Sequence, residues 1–370
     1  MNDLIIIDAK FSNYVIPKVQ PKIGQEWLCN GDKNSFFKYI YDRYTGSAIN
    51  SAIINSFVKY IYGDGLVDAN GIDLKKYISK TDLRLICQDF KMYGQYTIEI
   101  HWSQGSKLLN VEPKPIKIKW KSTAKFALNL DDDCEVDGYW FSKDWNNTRL
   151  YKPVYYKKFD GKYDENHPVE ILTVNRISPN DYFPNPDFVS VLSWAEVDEE
   201  LTNSSINYIK NNFSAGKIIN CIGGKIPTVE AQQAIKQKII DNLTGSSNNN
   251  KIIINFSDSL DGNKIEVENV EISNLDQTLV YYSTQALQML LVGHGITNPM
   301  IMGVPVPSGF NSQSEDRVVS IAHLMQNKIN PAREEIIDGL ESVLKIAEPT
   351  ISLKFKDFDD LDEVKNDLDM

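Results

Sequence analysis

The sequence predicts a mixed α+β fold. Segments with apolar residues every three or four positions end at glycines, and runs of five to eight residues alternate apolar and polar side chains between turn residues. With 370 residues, 42% of them hydrophobic, the chain can bury a substantial core, either as one large composite domain or as two ordinary ones.

Residues 1–46 contain short apolar stretches, prolines at 17 and 21 and the aromatics Phe36, Phe37, Tyr39, Tyr41 and Tyr44, and read as an irregular arm leading into a helix. In residues 47–62, Ile49, Ile53, Phe57 and Ile61 recur every four positions before Gly63 and Gly65, which predicts an amphipathic helix with a glycine stop. A second helix is expected over Thr81–Tyr93, with Thr81 as its N-cap, Leu85, Cys87 and Phe90 on its apolar face, and Gly94 closing it. The stretches QYTIEIHW (from Gln95), IKIKW (from Ile116), DGYWFS (from Asp137) and PVYYKKF (from Pro153) alternate as half-buried antiparallel strands do, with turns at Asp131–Asp133 and Asp160–Gly161.

From Ser193 the pattern is helical again. Val197, Leu201, Ser204 or Ser205, and Tyr208 follow the spacing, while Glu196, Asp198, Glu199 and Glu200 crowd the first turns, where acid complements the helix dipole. A small module follows: a strand over 217–222, a turn at Gly223–Gly224, a helix from Thr228 to Leu243, the polar loop GSSNNN, and strands over 251–255 and near 265–272. Leu279, Tyr282, Ala286 and Leu290 then form one stripe of a helix over Leu275–Val292, broken by Gly293 and Gly295. After a segment rich in proline and glycine comes a long helix from Glu315 to Ile346 with Pro331 inside it. Proline lacks the N–H and clashes with the carbonyl four residues back, which predicts a kink near Asn327–Pro331. A strand candidate, TISLKFKDF, and an acidic tail complete the chain.

Composition narrows the function. A formal charge of -11 argues against holding DNA by neutralising its phosphates. No apolar run reaches the roughly 18 residues of a membrane helix, and the first ten residues lack the basic front of a signal peptide, so no membrane association is expected. Cys29, Cys87, Cys134 and Cys221 stand far apart without a CxxC pair, as packing or surface thiols. GGKIPT lacks the first glycine of a phosphate-cradling loop, and His101, His167, His294 and His323 have no helical metal-binding partner. His294 reads as a helix C-terminal residue favoured by the dipole. The acidic tail lacks the glycine and bidentate Glu of a calcium loop. Catalytic residues, metal and cofactor are thus all expected to be none.

The order of parts is the informative feature. FSAGKIINCI (Phe213–Ile222), LDQTLVYYSTQALQMLLVGHGITNPMIMG (Leu275–Gly303), SGFNSQSEDRVVSIAHLMQNKINPAREEIIDGL (Ser308–Leu340) and DLRLICQDFKMYGQYTIEIHW (Asp82–Trp102) resemble, in that order-dependent sense, parts of the portal proteins of phages with long, non-contractile tails. The resemblance covers most of Gly46–Asp357. It implies an N-terminal arm (1–46), an α+β wing (47–192), a first stem helix (193–216), a small α/β clip (217–272), a second stem helix (273–302), a tunnel loop (303–314), a long kinked helix (315–348) and a C-terminal wing strand with acidic tail (349–370), the crown being short or absent.

The same resemblance implies a ring of about twelve copies at one capsid vertex, closed by head-to-tail interfaces. Such a virion component, made in the bacterial cytoplasm, would face major capsid protein with its wing. Its clip would meet the terminase large subunit and later the head-tail adaptor. Double-stranded DNA would pass through without sequence-specific binding. Val304, Pro305, Val306, Pro307, Ser308, Gly309, Phe310, Asn311, Ser312 and Gln313 would form the tunnel loop, with Glu196, Glu199 and Glu200 lining the stem and Pro331 at the helix kink. The same acids could instead cap their helix or pair with a neighbouring subunit. An oligomeric cytoplasmic scaffold and a phage nucleic-acid enzyme are the alternatives. The enzyme would need an acidic metal cluster on a basic surface.

Overall fold

The computed structural model describes residues 16–21, 24, 26–105, 110–180, 182–210, 216–223, 228, 233, 252–258, 264–270, 275–304 and 314–358. The chain is mixed α+β and divides into two compact units, the first formed by residues 1–195 and 289–370 and the second by Glu196–Gln288.

The first unit begins with helices α1 (Ser35–Gly46), α2 (Ala48–Tyr62) and α3 (Lys80–Tyr93). The apolar positions predicted for α2 are its buried ones, Ile53, Phe57 and Ile61 among them. Ser47 caps its start by accepting from the Asn50 N–H. Its end is closed from far along the chain: the Arg333 guanidinium donates to the carbonyls of Ile61 (2.9 Å) and Tyr60 (2.8 Å) in the last turn, and pairs with Asp357. Gly63 follows with φ 54, and a Cβ there would overlap the Lys356 carbonyl and crowd Arg333, so this stop requires glycine on both counts.

At α3 the structure corrects the expected cap. Ser79, not Thr81, accepts from the Asp82 N–H, and its hydroxyl also meets the Asp82 carboxylate at 2.5 Å. The Ser79–Asp82 spacing makes a reciprocal cap that Thr81, one residue into the helix, has no geometry to supply.

Gly94 turns α3 into β2 (Gln95–Trp102), the centre of an antiparallel sheet between β3 (Pro115–Lys121) and β7 (Val169–Asn175). The alternation in β2 is real, but both faces are covered. Tyr96, Ile98 and Ile100 have no exposed surface. On the other face Thr97 bonds Thr173 and Thr123, and Glu99 pairs with Lys121 and His101 at 2.6 Å each. Each fully buried isoleucine contributes about 1.5–3 kcal/mol of apolar burial. A second antiparallel sheet, β4 (Phe126–Leu130), β5 (Val136–Phe141) and β6 (Val154–Lys157), adjoins the first through a bridge from Lys158 to Ile171. β1 (Gly65–Asp68) pairs with a strand from the far end of the chain, β11 (Leu353–Lys356).

The second unit contains β8 (Gly216–Gly223) flanked by β9 (Ile252–Asp258), parallel to it, and β10 (Lys264–Val270), antiparallel. The expected helix over 228–243 and the GSSNNN loop lie outside the described residues apart from positions 228 and 233. Helices α4 (Leu192–Lys210) and α5 (Leu275–His294) run across the boundaries between the units. In the first unit again, α6 (Ser314–Leu324) continues through a π turn over Met325–Ile329 into α7 (Asn330–Ala347). Pro331 sits in the first turn of α7, and the Asn330 N–H reaches the Met325 carbonyl five residues back. A proline needs no N–H acceptor, and the widened turn ahead of it fits the segment where the sequence places a kink. α7 packs on the first sheet at Gly339, where a Cβ would overlap the Tyr96 hydroxyl that donates to the Ile336 carbonyl at 3.0 Å.

Candidate functional site

Among the described residues of the first unit, an extended polar arrangement joins α3, Arg176 and Asp187, the end of α5 and the π turn. Lys91 on α3 is buried, and its ammonium donates to Asp187 Oδ1 at 2.8 Å while lying 3.8 Å from the centroid of the Phe57 ring. Asp187 Oδ2 lies 3.6 Å from Arg176 and 3.9 Å from Lys328. Burial pushes the Asp187 carboxyl up, but Lys91 and then Arg176 outweigh it and hold the group well below the usual carboxylate range. Burial likewise lowers the Lys91 ammonium, with Asp187 opposing. The charges are therefore mutually dependent: removing one partner strands another in a dry site.

His294 closes this arrangement and corrects the dipole reading. It is fully buried, stacks on Phe188 (4.6 Å between centroids, 17° between planes), and its Nε2 meets Asn50 Oδ1 at 3.0 Å. Burial, helped by Lys91, pushes it well below its ordinary value, so it is a neutral core imidazole and not a cation on a helix dipole. Beside it a Cβ on Gly293 would overlap the Val191 side chain, which fixes how closely the last turn of α5 approaches the start of α4. The sequence carried no signal for the Lys91–Asp187 pair, because its members are 96 positions apart.

A second buried carboxylate, Asp89, accepts from Trp120 Nε1 (2.9 Å) and from the Thr123 N–H (3.1 Å). Burial nonetheless raises it to about 7. Among the described residues no group of three or more His, Cys, Asp or Glu side chains is placed to hold a metal ion, and no helix is long and apolar enough to cross a membrane.

Of the residues singled out from sequence, Pro305–Gln313 lie outside the described residues. Val304 is buried at the end of a short 3-10 turn, Pro299–Met302. Glu196 and Glu199 are half-buried and Glu200 is exposed, all on α4. Of the stripe read in α5, Tyr282 is exposed, while Ala286 and Leu290 are buried. α5 exposes Val280 (66%), Tyr281 (59%) and Tyr282 (46%), and α4 exposes Ile206 and Ile209.

Comparison with known proteins supplies what this geometry alone does not. No family model matches the sequence, and no curated protein sequence matches it. Among solved structures, a chain from the neck of an empty gene transfer agent particle matches over 94% of this chain and 89% of its own, at 12% identity and a TM-score of 0.58. The chain has the fold of that neck component. A chain of the native particle's neck, computed with C12 symmetry, matches over 91% of this chain and 88% of its own, at 11% identity and a TM-score of 0.58. An HK97-family phage portal protein from Corynebacterium diphtheriae aligns over 90% of this chain and 94% of its own at 9% identity, with a TM-score of 0.45. The neck-component fold thus spans both units described here and not one module of them.

Proposed function

We propose that this chain is the subunit of a portal ring at one capsid vertex of a tailed phage or gene-transfer-like particle, and that its role is structural and not catalytic. One observation carries the reading: a fold match over 94% of the chain to a component of such a particle's neck. The order of segments read from sequence and the exposed apolar side chains of α4 and α5 support it, since a subunit that closes a ring must bury heterologous surface on both flanks. In this reading about twelve copies assemble with α4 and α5 as stem helices. The wing faces major capsid protein, and residues 217–272 present the clip to the terminase large subunit and then to the head-tail adaptor. Double-stranded DNA passes the tunnel loop, residues 303–314, and the acids Glu196, Glu199 and Glu200. A lining without clustered Lys and Arg lets a polyanion slide instead of gripping it.

Negative-stain electron microscopy with mass photometry tests the assembly. Rings with a central hole and a mass of about 500 kDa are expected from a chain of 42.1 kDa. Monomers or dimers that persist with capsid protein present would count against the ring. A second test isolates the loop: deleting Val306–Asn311 is expected to leave rings intact and to impair DNA packaging or retention. Loss of ring formation would remove these residues from the channel role.

A further inference from the structure

The first unit contains a cavity of about 410 Å³ that none of the foregoing uses, within the range of about 300–1,000 Å³ typical of small-ligand sites. Its walls come from α1, α3, the end of β3 and the segment 143–146, and Phe37, Tyr93, Trp120 and Trp145 make it aromatic. Hydrogen bonds tie these walls together. Asn34 Nδ2 donates to the carbonyls of Ala124 (3.1 Å) and Phe126 (2.9 Å), Trp145 Nε1 to that of Lys125 (3.0 Å), and Trp120 Nε1 to Asp89 Oδ2 (2.9 Å). Tyr93 differs from them. It is only 6% exposed, yet its hydroxyl makes no hydrogen bond among the described residues and is not sealed in the core. Burial pushes its phenol up, so it keeps its proton and offers the cavity a donor that lacks an acceptor. Asp89 lines the cavity one helical turn earlier on α3 and supplies a carboxyl acceptor beside that donor. Around the mouth, Lys33, Lys38, Lys125 and Lys143 are exposed. Lys38 pairs with Asp42, but no ion pair engages the other three among the described residues. Asp144, also in the wall, accepts from the Asn146 N–H at 2.9 Å. A fitting occupant has a flat ring for the aromatic walls, an acceptor and a donor on one edge of that ring, and an anionic group at its other end. Adenine and cytosine nucleotides have all of these, because each base places a ring nitrogen beside an amino group and carries its phosphate on the far side.

We propose that this cavity is a nucleotide site selective for adenine or cytosine, with the base between the aromatic walls, its ring nitrogen and amino group on Tyr93 and Asp89, and its phosphate at Lys33, Lys125 and Lys143. The nucleotide is either free or an unpaired residue of a strand, the base and phosphate being common to both. The site lies wholly in the first unit and does not rest on the ring reading.

The test is isothermal titration calorimetry of the full chain with dAMP, with a deoxyadenylate hexamer, with the thymidine counterpart of each, and with deoxyadenosine. An adenine probe is expected to bind, its thymidine counterpart about tenfold more weakly, and deoxyadenosine about tenfold more weakly than dAMP. Tighter binding of the hexamer than of dAMP assigns the source to a strand, and tighter binding of dAMP assigns it to free nucleotide. Absence of binding by both at about 1 mM would overturn the proposal, as would equal affinity for the thymidine probes. A peptide, acetyl-Asp-Phe-Asp-amide, that binds as tightly as the adenine probes would overturn it too, by making the site one for acidic peptides. Tyr93→Phe removes only the unpartnered hydroxyl, so the urea midpoint is expected to stay unchanged while affinity for the adenine probe falls about tenfold. A lowered midpoint or an unchanged affinity would overturn the role of that hydroxyl and with it the proposal. Lys33→Glu with Lys143→Glu is expected to weaken dAMP about tenfold and to leave deoxyadenosine unchanged, whereas an equal loss for both would overturn the phosphate placement.

Discussion

Asp89 and His294 are both buried, and their titrations oppose each other. Asp89 keeps its proton in the folded chain up to about pH 7, whereas unfolded it would release it near its ordinary 3.8, so its contribution to stability falls as pH rises between those values. His294 stays neutral when folded, whereas unfolded it binds a proton below its ordinary 6.5, so its contribution falls as pH drops below that value. Each slope approaches about 1.4 kcal/mol per pH unit, and between roughly pH 4 and 6.5 they offset one another. His294→Gln is expected to lose the acid-side penalty, and Asp89→Asn the opposite one, as urea midpoints measured across pH 4–7.5 will show. Parallel pH curves for wild type and either variant would refute the assignment. Asp89→Ala is expected to cost about 2–4 kcal/mol, because it leaves the Trp120 and Thr123 donors buried without an acceptor.

Among the elements, local chemistry made some legible and hid others. The glycine stop of α2, the Tyr93–Gly94 step and the strands β2 and β3 follow from patterns within ten residues, whereas β7 of the same sheet carried no strand reading. Sequence reasoning missed the Ser79 cap because Thr81 and Ser79 are equally good cap residues and only the Ser79–Asp82 reciprocity separates them. The exposure of Tyr282 was not legible, because an apolar stripe reads the same whether it packs within its own chain or serves a partner. The long-range closure of α2 was invisible too, as Arg333 lies 272 residues from the carbonyl of Ile61. That closure makes a prediction for the element. Arg333→Met is expected to cost about 2–4 kcal/mol and to speed amide exchange first in the last turn of α2, as hydrogen exchange read by mass spectrometry will show. Uniform acceleration across the first unit would mean that the arginine holds no particular element.

At the scale of the whole molecule, the candidate site was legible only as an order of segments. The proposed channel residues carry no reactive chemistry that spacing would reveal, and Pro305–Gln313 lie outside the described residues. The exposed face of α5 gives the molecular prediction. Val280→Glu with Tyr281→Glu changes side chains that the isolated chain leaves exposed, so chain stability should shift by no more than about 0.5 kcal/mol. In the ring reading the same pair should abolish assembly, leaving a particle near 42.1 kDa by mass photometry. A variant that unfolds, or one that still forms rings, would show that this face is not the subunit contact.

The insertion of Glu196–Gln288 between the two parts of the first unit also sets a schedule for synthesis. Every contact within the second unit is available once residue 288 has emerged from the ribosome. β1, by contrast, waits for β11, and the end of α2 waits for Arg333. At about 5–20 residues per second the interval from residue 288 to Lys356 is roughly 3–14 s. For that time the nascent chain has a complete second unit and an unfinished first one. Closure by its last strand makes the first unit a late-folding one, and a truncated translation product lacks the strand that would complete it.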